Sequence, residues 1–364
     1  MSGADPQHLR RGWTTGACAT GAAKAAFTAL AAGDFPDPVE ITLPRGGTTS
    51  FALARHALKT GSATASIIKD AGDDPDVTHG AVVSATVRPM PAGSGIVFKA
   101  GEGVGTVTRP GLPIPPGEPA INPVPREMMR RAIAEVSAQT GLAGDVEIEI
   151  SIEDGEDLAK KTLNGRLGIV GGLSVLGTTG IVRPFSCAAW IASIHRGIDV
   201  ARATGLTHVV GATGSTSEAA VRARYDLDEA AYLDMGDFAG GLLKYLRAHP
   251  VARLTLAGGF AKFTKLAQGA LDLHSARSRV DFAFLADLLA EQGASPPLCD
   301  AALKANTAKE VLDLSLEQGL DLSTPLAQRT RAAVLEILRG APVEVDVLIV
   351  DRNGHVTGET GRDD

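Results

Sequence analysis

Three stretches of this chain repeat one pattern: a short apolar run enters a glycine-rich turn, and helix-forming residues follow. Residues 167–170 run into Gly171-Gly172. Residues 208–210 run into Gly211-Ala212-Thr213-Gly214-Ser215, and residues 254–256 into Ala257-Gly258-Gly259. The helices are expected over about 186–202, from about 217 and from 260. Strands alternating with helices predict a parallel, doubly wound sheet, because parallel neighbours need a long covering crossover. Such sheets bind ligands at the carboxyl ends of their strands. A Rossmann-like α/β domain is therefore expected over residues 156–340.

The preceding part has a different texture. Residues 1–12 read as a polar tail. Thr14-Thr15-Gly16 leads into an alanine-rich run, 17–32, that Gly33 can stop. Short alternating runs follow at 39–43, 50–58, 63–69, 81–87 and 95–100, separated by turn clusters. They predict a mostly antiparallel sheet. The Pro/Gly stretch 109–117 suits only a stiff extended loop. A helix over 125–140 and a strand over 145–152 complete a mixed α+β domain, 1–155. Helices are expected again over 281–291, 307–318 and 324–339. Alternation over 343–350, a hairpin turn at Asn353-Gly354 and a strand at 355–357 form a last hairpin, for which a return to the first sheet is one open placement. The fold class is thus α/β: an α+β N-terminal domain with a mostly antiparallel sheet, with completion by 341–364 left open, and a three-layer doubly wound parallel-sheet domain. Two echoes stand out: Thr-Thr-Gly at 14–16 and 178–180, and Val-Thr-Arg-Pro at 107–110 against Ile-Val-Arg-Pro at 181–184.

A length of 364 residues favours two cores over one. A net charge of −7 argues against a general nucleic-acid binder but leaves room for a local cationic site. Cys18, Cys187 and Cys299 are far apart and never form a CxxC pair, which suits a reducing compartment. No apolar run reaches the ~20 residues of a membrane span, and residues 1–11 lack a signal's apolar centre. A cytoplasmic location is expected.

The chain has no GxSxG elbow, no P-loop lysine and no HExxH. Its histidines are scattered, so no metal site is expected. Three segments remain. The turn 211–215 offers helix-start N–H groups to an anion, or is simply a tight turn. Residues 69–79 crowd Asp70, Asp73, Asp74, Asp76 and His79 into one loop, which is either functional or a solvated turn with Asx caps. Alternate glycines at 101, 103 and 105 bare one face of the backbone to a flat ring, or mark a bulge. Arg109, Arg126, Arg130, Arg131, Lys160, Lys161, Arg166 and Arg183 are candidate carboxylate clamps.

Five long strings tie these segments together: GWTTGACA from Gly12, KDAGDDPDVTHG from Lys69, GEGVGTVTRPGLPIPPGEPAINPVPREM from Gly101, LGIVGGLSVLGTTGIVRPFS from Leu167, and AGGFAK from Ala257 with His274-Ser275 beyond it. They resemble the cobalt-precorrin-5B C(1)-methyltransferase family over about residues 10–350. Trp13 replaces a tyrosine of that pattern and Gly165 a proline. The resemblance implies an enzyme that converts S-adenosylmethionine and cobalt-precorrin-5B to S-adenosylhomocysteine and cobalt-precorrin-6A. Cobalt would arrive only inside the substrate. Neither nucleic acid nor membrane is implied as a partner, and self-association is left open.

On that footing Thr14, Thr15, Gly16, Gly101, Glu102, Gly103, Gly105, Arg109, Arg126 and Arg183 are expected to hold the tetrapyrrole. Gly171, Gly172, Thr178, Thr179, Gly180, Gly211, Thr213, Gly214 and Ser215 are expected to hold S-adenosylmethionine. Asp73, Asp74 or His79 would accept the ring proton, or bind the ribose or amino group of the donor. A non-enzymatic tetrapyrrole carrier and an unrelated nucleotide-binding enzyme are the competing readings.

Overall fold

In the computed structural model, which describes residues 9–360, the alternation of the first part becomes a five-stranded sheet. Residues 1–8 of the expected tail, and 361–364 at the other end, lie outside the described residues. The elements of the first unit are β1 (Gly12–Trp13), α1 (Thr15–Ala32), β2 (Val39–Thr42), β3 (Thr48–Phe51), β4 (Arg55–Lys59), β5 (Ser62–Ile68) and β6 (Val82–Pro89). Then come β7 (Ile96–Ala100), β8 (Thr106–Val107), α2 (Pro123–Thr140), β9 (Val146–Ile152), α3 (Gly155–Ala159), β10 (Ile169–Val170) and β11 (Ile181–Val182).

The sheet order is β4-β5-β6-β9-β7, antiparallel throughout except for the β7–β9 pair. Strict alternation in β6 and β9 buries one face of each, as a two-residue period requires. Helix α1 packs on that face and against α2. Thirteen of its residues are buried, because alanine, glycine and one phenylalanine leave it apolar almost all round. Gly21 shows how close the packing is: a Cβ there would lie 2.7 Å from the Ile67 side chain.

Compact packing divides the chain at Ser186/Cys187 and not at 155. The reason is the segment 164–182. It pairs with the first unit through β10–β8 and β1–β11 and through bridges of Leu173 to Val104 and Val175 to Ile121. A small core of Val107, Ile114, Ala120 and Ile169 seals it there. The first expected strand–glycine–helix repeat therefore belongs to no parallel sheet.

The other two repeats do. The second unit comprises α4 (Cys187–Ala203), β12 (His208–Ala212), α5 (Ser215–Arg224), β13 (Tyr232–Asp234), α6 (Ala239–Ala248), β14 (Arg253–Gly258) and α7 (Phe260–Ala267). It continues with α8 (Phe282–Glu291), α9 (Pro296–Lys304), α10 (Ala308–Glu317), α11 (Ser323–Leu338), β15 (Glu344–Val350) and β16 (Val356–Glu359). The order is β13-β12-β14-β15-β16, parallel except for the edge strand β16. Helix α5 covers one face, where Val221 meets Val210, Ala257 and Leu348. The remaining helices cover the other, around Leu242, Leu256, Phe263 and Val347. The terminal hairpin thus extends this sheet instead of rejoining the first: β15 carries apolar residues for both faces, as a central parallel strand must.

Candidate functional site

The 69–80 loop answers its own repulsion by giving each carboxylate a partner. Lys69 is 1 % exposed, and its ammonium donates to Asp76 at 2.5 Å and to Thr78 Oγ1 at 2.7 Å. Burial alone would raise the Asp76 pKa, but the Lys69 charge overrides it and the net shift is downward. The Arg10 guanidinium grips Asp70 with two hydrogen bonds; that contact, helped by the Gly72 N–H, pulls the Asp70 carboxyl down to about 2. Asp73 accepts the Arg10 N–H at 2.6 Å, and Asp74 accepts the Phe185 N–H at 2.8 Å. Phe185 needs that clamp, since its φ of +54° is unfavourable for a side chain of its size. His79 Nδ1 accepts the Ala71 N–H at 3.1 Å, so the neutral ring carries its proton on Nε2 and offers a donor there.

The two Thr-Thr-Gly echoes meet. β1 and β11 pair antiparallel with Gly12 opposite Val182, and the Thr14 N–H donates to the Gly180 carbonyl at 3.0 Å. Thr14 caps α1 through the Ala17 N–H. Thr15 Oγ1 accepts from the Leu176 N–H at 3.1 Å, and the Gly16 N–H donates to the Leu176 carbonyl at 2.9 Å. Thr179 closes its own turn on Ile181. Thr178 and Gly171 are exposed, whereas Gly172 is buried. Gly171, Gly172, Thr178, Thr179 and Gly180 therefore lie in the first unit, among the residues expected to hold the ring. Gly211 to Ser215 lie in the second. The expectation that one parallel sheet carries both sets is corrected. Cys18, in the buried part of α1, has its thiol pushed up to about 12 by burial and is no nucleophile.

The alternate glycines bare no face to a ligand. A Cβ at Gly101 would meet Ser151 Oγ at 2.2 Å, one at Gly103 the Ile152 carbonyl at 2.0 Å, and one at Gly105 the Ile169 side chain at 2.5 Å. Neighbouring chain fills the space, and Gly105 N–H to Leu173 O and Leu173 N–H to Gly103 O, both 2.9 Å, lock it there. Glu102 is exposed and its carbonyl accepts the Ile152 N–H. Arg109 lays its stem over Gly168. Arg126 donates to Glu118 and to the Ile121 and Pro119 carbonyls, so its guanidinium is already committed to its own loop. Arg183 is exposed, with no ion pair among the described residues.

In the first unit one cationic residue was missed. Continuing the β1–β11 register by one position sets Arg11 opposite Arg183. Arg11 is likewise exposed and unpaired among the described residues. Like charges across an antiparallel pair repel. The echo at 181–184 drew attention to Arg183, but only the pairing reveals its neighbour.

In the second unit, chain order turns back between β12 and β14, so the loops after these strands diverge at the carboxyl ends. Gly211 is packed against Leu242 and Leu256, and the Thr213 N–H donates to the Ala257 carbonyl at 3.0 Å. These two build the turn. Gly214 and Ser215 are exposed, no side chain caps α5, and a Cβ at Gly214 would meet nothing within 4 Å. Lys262, in the first turn of α7, donates to the Thr213 carbonyl at 2.9 Å and lies 3.1 Å from Asp237. Its place directly after Gly258-Gly259 was the available signal. Asp234, ending β13 beside Ala212, was also missed; an acidic residue closing the second strand of such a unit, about 20 residues beyond the glycine turn, was the clue.

The CbiD family model matches residues 2–184, and that of the CbiD C-terminal domain matches residues 272–361. The cobalt-precorrin-5B C(1)-methyltransferase of Brucella anthropi is 64 % identical over 348 residues, covering 96 % of this chain and 95 % of that protein. Its namesake in Brucella canis is 62 % identical with the same coverage. A crystal structure of cobalamin biosynthesis protein (cbiD) from Archaeoglobus fulgidus is 23 % identical, with a TM-score of 0.40 over 85 % of each chain.

Proposed function

We propose, from the premise that the chain belongs to the CbiD family, that it methylates C-1 of cobalt-precorrin-5B in cobalamin biosynthesis, with S-adenosylmethionine as the methyl donor. The observation that carries this is similarity along nearly the whole chain to proteins of that name. No disulfide joins Cys18, Cys187 and Cys299, which suits a cytoplasmic setting.

The donor's zwitterionic methionine end fits the turn after β12. Open space at Gly214 and the uncapped first turn of α5 together favour a carboxylate, while Lys262, held between the Thr213 carbonyl and Asp237, fixes the turn. S-adenosylmethionine, when bound, supplies the methyl on a sulfonium. What the protein adds is position, for which alignment of reactants is worth roughly 7–11 kcal/mol. In the first unit Arg11 and Arg183, exposed and without an ion pair among the described residues, and the Nε2–H of His79 can donate to the ring's carboxylates, whereas Thr14, Thr15 and Gly16 are committed to holding the 176–180 segment. Asp73 and Asp74 each bind a backbone N–H through one oxygen, and we assign proton acceptance to the other.

Incubation of the protein with S-adenosylmethionine and cobalt-precorrin-5B should yield S-adenosylhomocysteine and a corrinoid heavier by one methyl; no mass change would overturn the reading. Gly214→Val tests the donor site. Gly214 has an extended φ of 165°, open to any residue, so the variant should fold. By filling the open space it should weaken S-adenosylhomocysteine about tenfold or more in calorimetry. Wild-type affinity would move the donor elsewhere. A mere carrier would give no heat with S-adenosylhomocysteine.

A further inference from the structure

Strands β12 and β13 run parallel with Ala212 opposite Asp234. Neighbouring strands lie about 4.8 Å apart, so Asp234 leaves the sheet one strand over from the Gly214 turn. The chain then bends across the end of β12: the Met235 and Gly236 N–H groups both donate to the Ala212 carbonyl, at 3.0 and 3.1 Å.

Trp190 of α4 lies against this bend. Its indole N–H donates to the Asp234 carbonyl at 2.9 Å. Its ring covers Gly236, where a Cβ would sit 3.3 Å from ring carbon, and Phe238 flanks it at 6.1 Å between centroids. The indole is thus fixed along one edge and one face. Even so, Trp190 is 45 % exposed. A tryptophan held rigidly but left half in water forgoes much of the burial that makes this residue useful in a core. A rigid, exposed indole at the carboxyl end of parallel strands is a platform for a flat heterocycle.

We propose that Trp190 and Asp234 form an adenosine subsite, in which the adenine ring stacks on the indole and the Asp234 carboxylate accepts hydrogen bonds from the ribose hydroxyls. The inference rests on the methyl-donor reading above and names the residues that recognise the nucleoside. With the donor's carboxylate at the start of α5, its ribose falls toward the end of the second strand, where Asp234 stands. Gly236, at φ +56° and with no side chain, leaves room for the indole to pack on the bend.

The chain contains two tryptophans, Trp13 and Trp190, so Trp13→Phe protein reports Trp190 emission alone. Titration with S-adenosylhomocysteine should change that emission in step with calorimetric heat. Trp190→Ala should weaken S-adenosylhomocysteine by about fivefold or more, with Trp190→Phe retaining most of the affinity. Asp234→Asn should weaken it about tenfold. Melting curves confirm that each variant folds. If the wild-type protein binds the ligand, Trp190 emission stays unchanged and both Trp190→Ala and Asp234→Asn bind normally, the subsite is wrong and the donor reading stands. If the wild-type protein gives no heat at all, the donor reading fails and the subsite falls with it.

Discussion

Removing the buried ammonium of Lys69 tests how the first unit is held together. Lys69→Met keeps the length and apolar stem but strips the charge that Asp76 and Thr78 share. Breaking a buried pair by deleting one partner costs about 3–5 kcal/mol, because the other charge stays desolvated. The side chain of Asp76 is 24 % exposed, so water relieves part of that, and about 3 kcal/mol is the reasonable figure. For a unit of this size the melting temperature should fall by roughly 6–12 °C at pH 7. The effect should also depend on pH. The folded Asp76 pKa is depressed, so the pair's contribution is present above the unfolded carboxylate value, about 3.9, and is lost as pH falls through the folded one. In the variant, Asp76 sheds its penalty by taking a proton. The gap between the two proteins should therefore narrow as pH falls, first above the unfolded value as the variant's stranded Asp76 takes its proton and then below it as the wild type loses its pair. Asp76→Asn placed on Lys69→Met should recover part of the loss, since no stranded charge remains. Scanning calorimetry from pH 3 to 8 on the four proteins of this cycle measures all of it. A Lys69→Met protein that melts with the wild type at pH 7, or a gap constant across that range, would refute the reasoning.

Two further outcomes concern the chemistry. Asp73→Asn/Asp74→Asn keeps an acceptor for the Arg10 and Phe185 N–H groups, so the fold should survive while kcat falls about 100-fold; unchanged kcat removes proton acceptance from both residues. Arg183→Ala relieves repulsion from Arg11, so stability should hold or rise slightly, while KM for the ring substrate rises about tenfold at near-constant kcat; a destabilised protein with normal KM would make Arg183 structural.

Local patterns were legible where local physics decides the outcome. Alternation over 82–89 and 146–152 marks one-faced strands, and the glycine turns at 211–215 and 257–259 mark parallel strands entering helices. The run 167–172 carries the same local signature, yet Ile169 pairs antiparallel with Val107. A two-residue strand is fixed by its partner and not by its own sequence. The hairpin 344–359 was likewise recognisable, but the choice of sheet depended on a parallel register with Arg253–Gly258 that spacing does not encode. The site divides in the same way. Gly214 was readable as an open turn, because a glycine before Ser215 has few other uses there. Gly101, Gly103 and Gly105 were readable as bare backbone, but what approaches them turned out to be the chain's own residues 149–155 and 169–172.

That distinction explains how a chain of net charge −7 can serve a polyanionic ring. What matters is which charges remain after the fold has paired the rest. In the 69–80 loop, acidic on paper, Asp70 and Asp76 bind cations and Asp73 and Asp74 bind backbone N–H groups. Arg126, attractive as a clamp from sequence, is consumed by Glu118 and two carbonyls. The Arg11 and Arg183 pair is different in kind. They stand one position beyond the paired Gly12 and Val182, both are exposed, and the described residues offer neither an acid. Two exposed, unpaired guanidinium groups raise the local potential there whatever the net charge, so local potential, and not the sum over the chain, sets what such a surface attracts.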